Sequence, residues 1–155
     1  MSDQTKQDRA TKSTAAGATA SDRSTSDRVS FFDMGRQPEL PAGGDPTKAL
    51  LHTQILLNHR DDDGFSLLAV RLEPDVVVPH HSHNLPQVVL VLEGELRQGN
   101  RVIGPGCGYF TPVGSTYTVT SGPEGAKVLE FRSASLSSLT TDWRDGYDPS
   151  WALKP

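Results

Sequence analysis

The stretch PHHSHNLPQVVLVLEGE, Pro79 to Glu95, sets side chains that carry lone pairs at the entrance to an apolar run. Side chains of a strand alternate between faces, so His81 and His83 share one side while His80 and Ser82 share the other. Two imidazoles on one side are half of a metal chelate. Gln87 comes four residues later, and Pro86 predicts a bend from which the strand QVVLVLEGEL starts, letting the amide oxygen return to the same space. Imidazole nitrogen combined with an oxygen donor suits zinc, iron, nickel, copper or manganese better than calcium or magnesium.

Around this stretch the pattern is β-structure. LLHTQILLNH, FSLLAVRL, DVVVPHHSH, NRVI, GYFTP, TYTVT and AKVLEFR are runs of β-formers, separated by turn signals at DDDG (61–64), EPD (73–75), RQGN (97–100), GPG (104–106) and SGPEG (121–125). No 3.6-residue apolar period is sustained in the central region, so the chain reads as an all-β sandwich or barrel. The three consecutive aspartates of DDDG cannot present the spaced oxygens of a calcium loop and are read as a hairpin turn.

With 155 residues the chain has room for one core, at about 100 to 200 residues per domain. Residues 1–28 hold no aromatic, Leu, Ile or Val and cannot bury enough apolar area to offset the entropy of ordering them, so they read as a disordered tail. Residues 29–46, opening on VSFFD, are expected to form a short strand or an anchoring segment and then a loop leading into the domain. The barrel is expected over 47–135, and 136–155 to pack on the barrel or on a partner copy. The aromatics of that last segment, Trp143, Tyr147 and Trp151, are expected at a core edge or dimer seam.

A net charge of −4 with no basic cluster interleaved with aromatics argues against nucleic acid. The longest apolar runs fall far short of the roughly 20 residues of a membrane span, and no signal-peptide core is visible. The lone Cys107 cannot form an internal disulfide, which fits a reducing, cytoplasmic setting; it is read as a small strand residue. His52 and His59 have no evident partner and read as solvated, and Arg71 and Arg132 read as facing solvent or a partner subunit, either being able to pair with a carboxylate substrate.

With these residues in place the chain resembles the cupin superfamily, small single-domain RmlC-like members in particular. The first cupin motif, a Gly followed by H-x-H, a Glu and a Gly, is matched by His81, His83, Gln87 and Gly94, with Asp75 at the opening Gly and Gln87 at the Glu. Of the second, Gly106, Pro112 and Gly114 are in register, with Tyr117 at the expected His and Ser121 at the expected Asn. The resemblance spans roughly Leu50 to Arg132 and implies a double-stranded β-helix, or jelly-roll barrel. It also implies one divalent transition metal (Zn, Fe, Ni or Mn) held by His81, His83, Gln87 and Tyr117, and a homodimer, for which the apolar LLHTQILL is the expected seam. Asp tolerates turn conformations, and some metal-binding cupins, among them a class acting on unsaturated uronates, carry Gln where Gln87 stands. Gln for Glu removes one compensating charge and leaves a more electrophilic ion.

A phenol has an ordinary pKa near 10, so Tyr117 stands open between metal ligand, hydrogen-bonding acid/base beside an open coordination position, and wall aromatic. Cys107, Tyr109, Phe110 and Thr111 alternate, about half of them toward the cavity. The expected function is metal-dependent catalysis on a small oxygen-rich molecule: isomerisation, cyclisation or elimination with Tyr117 relaying a proton, or dioxygen chemistry if the ion is ferrous. The alternative is a non-catalytic binding or sensor module.

Overall fold

The computed structural model describes residues 30–59, 64–144, 146 and 149–154. The tail expected over 1–28, the three aspartates of the DDDG turn and Tyr147 lie outside them.

Among the described residues the regular structure is all β apart from three short 3-10 turns. Nine strands run β1 Leu40–Pro41, β2 Leu51–Asn58, β3 Ser66–Leu72, β4 Val77–His83, β5 Gln87–Gln98, β6 Arg101–Ile103, β7 Gly108–Thr111, β8 Tyr117–Arg132 and β9 Thr141–Trp143. Every pairing is antiparallel: β1, β2, β3, β8, β4 and β9 follow one another, and β5 pairs with β8, β6 and β7. β8 is the hub, shared by β3, β4 and β5, and the sheet curls around a core that includes Val70, Leu72, Val89, Val91, Leu96 and Val128. No helix among the described residues is long and apolar enough to cross a membrane.

SGPEG was expected to be a turn between two strands. It lies instead inside β8, where Leu96 pairs with Ser121 and Gly94 with Ala126, so residues 122–125 bulge out of the ladder. Ser121, fully buried, accepts from the Val76 amide at 2.8 Å and donates to the Glu73 carbonyl at 2.6 Å, which ties the bulge to the turn before β4. That turn holds Asp75 at φ 56, the left-handed conformation that the opening Gly of the motif would provide.

Of the two readings of VSFFD, the strand is absent from its described part. Ser30 to Asp33 pair with nothing in the sheet, and Asp33 instead closes a turn, its carbonyl accepting from the Arg36 and Gln37 amides. The Gln54 amide donates to the carbonyls of Met34 and Gln37, which clamps this loop over the outer face of β2. His52 is not solvated: it is buried on that face, 3.7 Å from both Glu39 and Glu73, the two carboxylates that Arg71 bridges. LLHTQILL is therefore only partly available as a seam, since His52, Gln54 and Leu56 are covered within the chain.

Candidate functional site

β4 would miss the cavity if it alternated regularly. Val76 and Val78 point into the core, so strict alternation would turn His80 inward. Pro79 and His80 together oppose the single Thr118 of β8, a bulge that shifts the parity by one. Beyond it His81 and His83 are buried, at 5 % and 8 % exposure, and His80 faces out.

The rings of His81 and His83 are 4.9 Å apart, centroid to centroid, and the Tyr117 ring lies 4.4 Å from His81, its cross-strand partner. Gln87, the first residue of β5, is fully buried and donates through Nε2 to the Tyr117 hydroxyl. With the amide so oriented its Oε1 is buried with no hydrogen-bond partner. The four residues named from the sequence are thus brought together.

The electrostatics favour neutral rings. His81 Nδ1 is 2.7 Å from the Pro79 carbonyl, which can only accept, so Nδ1 carries the proton and Nε2 keeps its lone pair. His83 Nδ1 sits 3.1 Å from the Thr141 hydroxyl. Burial holds both imidazoles below their ordinary pKa, His83 down to about 4, with the Arg132 charge adding to the effect. Burial pushes the Tyr117 phenol up, and the Glu130 charge pushes the same way, so it is held as the neutral acid. Tyr109, 6.0 Å from Tyr117, is raised by the same burial.

These groups open on a cavity of ≈ 190 Å³, apolar along Leu51, Val70 and Leu72 and polar at His81, His83, Tyr109, Tyr117, Glu130 and Arg132. Trp143 and Trp151 were expected at a core edge or seam, and both line this cavity. β9 pairs with β4, bringing the Trp143 ring within 5.0 Å of His81, and the Trp151 ring lies 5.7 Å from Trp143. Arg132 was expected to face solvent or a partner. It is only 6 % exposed and lines the cavity, bonded to Glu130 at 2.6 Å. Its parity on β8 was the available signal, since Ala126, Val128, Glu130 and Arg132 share one face. Tyr109 and Thr111 point inward and Phe110 outward, and Cys107 sits exposed before β7 rather than in a strand.

A cation fits these residues on two observations: two imidazoles poised as neutral bases, and a buried oxygen with nothing to accept from, on the amide that donates to Tyr117. Among the described residues no group of three His, Cys, Asp or Glu side chains is placed to hold a metal, so a site here depends on Gln87 and Tyr117.

No family model matches the chain, and no curated protein does. Solved structures do. An RmlC-like cupin protein of Ralstonia eutropha aligns with a TM-score of 0.58 at 13 % identity, over 69 % of each chain. The polyketide cyclase RemF of Streptomyces resistomycificus aligns with a TM-score of 0.59 at 18 % identity, over 80 % of this chain and 91 % of its own. KdgF of a Halomonas species aligns at 0.54 and 17 %, over 67 % and 94 %. Identities this low speak to architecture alone, and the architecture is unambiguous: the chain has the cupin fold.

Proposed function

We propose that this chain is a cytoplasmic single-domain cupin enzyme that holds one divalent transition metal ion through His81, His83 and Gln87 and acts on a small oxygen-rich molecule in the adjoining cavity. The observation that carries the proposal is the buried, unpartnered Oε1 of Gln87, on the amide that donates to Tyr117, together with the two neutral imidazoles that Tyr117 adjoins. When bound, the ion would supply Lewis-acid polarisation of a carbonyl or enolate oxygen.

The chain's own groups do the rest. The Pro79 carbonyl fixes the His81 tautomer, and Trp143 covers that ring. Tyr117 accepts from Gln87, which leaves its own proton to donate. A phenol held neutral by burial gives up that proton only transiently and recovers it readily, as a donor to developing negative charge on a ligand oxygen must. Apolar walls and two indoles lower the polarity around these groups and so strengthen each polar contact. Stabilising developing negative charge on a ligand oxygen is a step common to isomerisation, cyclisation and elimination, and RemF is a polyketide cyclase built on this fold.

Metal analysis of the purified full chain tests the proposal, with the His81→Ala/His83→Ala variant as control. About one equivalent per chain, lost in the folded variant, is expected; a folded native protein that stays metal-free after incubation with zinc, iron(II), nickel and manganese overturns it. The second reading, a non-catalytic binding module, is favoured by the lack of an anionic ligand among the four residues. It predicts ligand binding unchanged by the double substitution. The cupin resemblance extends the proposal to a homodimer.

A further inference from the structure

Ser66 of β3, Arg132 of β8, Gln87 of β5 and Thr111 of β7 are direct cross-strand neighbours and form one row across the sheet. All four are buried, at 0, 6, 2 and 5 % exposure. Three of them hold polar atoms that are buried without a partner: Ser66 Oγ, Gln87 Oε1, and both Nε and Nη1 of Arg132. Glu130 occupies only Nη2. A guanidinium carries five N–H donors and is costly to bury unsatisfied. Two of the residues that line the cavity, Arg132 and Trp151, hold buried atoms without a partner, Arg132 Nε and Nη1 and Trp151 Nε1, and all three atoms are donors. A ligand that brings acceptors would satisfy them.

We infer that Arg132 is the anion subsite of this cavity and that the ligand is a small carboxylate with an apolar or aromatic body, its carboxylate on the guanidinium and its body against Trp143, Trp151 and the aliphatic wall. A planar carboxylate meets guanidinium N–H groups with two oxygens, the pairing for which arginine is best suited. At ≈ 190 Å³ the cavity is smaller than the roughly 300 Å³ at which drug-sized sites begin, which limits the ligand to a few carbons or one ring. The inference deepens the proposed function by naming a substrate class, and it rests on the same cavity but not on the metal.

The chain's two tryptophans both line the cavity, so indole fluorescence reports on it directly. Metal-stripped full chain in EDTA is titrated with benzoate against benzamide and with acetate against acetamide. Each pair differs in charge and hardly in shape. At least one carboxylate is expected to bind saturably and about tenfold or more tighter than its amide, as charged hydrogen bonds imply. Arg132→Met should abolish that preference and Arg132→Lys keep part of it. Because Arg132→Met leaves Glu130 without its cation, Arg132→Met/Glu130→Gln is measured alongside, with circular dichroism verifying the fold. Equal affinity for both members of each pair, no binding of either carboxylate, or an unchanged preference in a folded Arg132→Met variant overturns the inference. The same preference in the His81→Ala/His83→Ala chain would uphold it even where the metal reading fails, and one metal per chain with no preference would do the reverse.

Discussion

At the scale of single residues, the two buried imidazoles make stability depend on pH. His83 is held at about 4 in the folded chain against 6.5 for a free side chain, and His81 is shifted the same way. Between these values the unfolded chain binds the proton that the folded chain refuses, so the stabilisation present above pH 6.5 is lost as pH falls toward 4. For metal-free protein the loss from His83 amounts to roughly 3 kcal/mol at full effect. Urea melts at pH 7, 5.5 and 4.5 should show it, and His83→Asn should flatten the profile over that window. The shared side of His81 and His83 was legible because a spacing of two needs no more than strand geometry. That they point inward was not, since the valines before them set the opposite parity and only the bulge at Pro79–His80 corrects it. The inward position of Arg132 is hidden for a simpler reason: a charged residue at a strand end is usually solvated, and here its parity with Val128 outweighs its charge.

Among elements, β8 decides the architecture because three strands share it. Its bulge closes against Gly94 of β5. A Cβ built on Gly94 would stand 2.2 Å from the Gly125 carbonyl oxygen, at φ +66. Gly94→Ala is therefore expected to cost about 2–4 kcal/mol, combining strain with a forced backbone shift. Gly99, also left-handed at φ +56 but with open space around it, should cost about 1 kcal/mol on the same change. Equal losses in thermal melts of the two variants would refute the close-approach argument. The strands flanking this bulge were legible as runs of β-formers. Their continuity was not, because Gly-Pro-Glu-Gly signals a turn locally, whereas β5 pairs with β8 on both sides of residues 122–125 and carries the strand through.

For the whole molecule, the barrel was legible from the spacing of turns and the cupin-like motifs, and the walls of its cavity only in part. Trp143 and Trp151 reach the site through pairings between distant parts of the chain, β9 on β4 and Ala49 with Leu153, which no local pattern announces. The outer surface also differs from expectation. Phe110, Val88 and Phe131 are cross-strand neighbours at 62, 45 and 38 % exposure, a row more open than β2. If the chain pairs with a second copy, this row is the better seam. Sizing chromatography should then give a dimer that Phe110→Lys converts to monomer with the fold intact, and a monomeric native chain would remove the proposal.

The bulge on β4 has a consequence for insertions and deletions. Two residues sit there opposite one, so the chain can lose His80, restore an even ladder and still present both imidazoles to the interior, at the expense of the tautomer lock on His81. Losing Ser82 instead would make the two rings sequential and send them to opposite faces. Length changes of the same size, two positions apart, should spare the chemistry in one case and end it in the other.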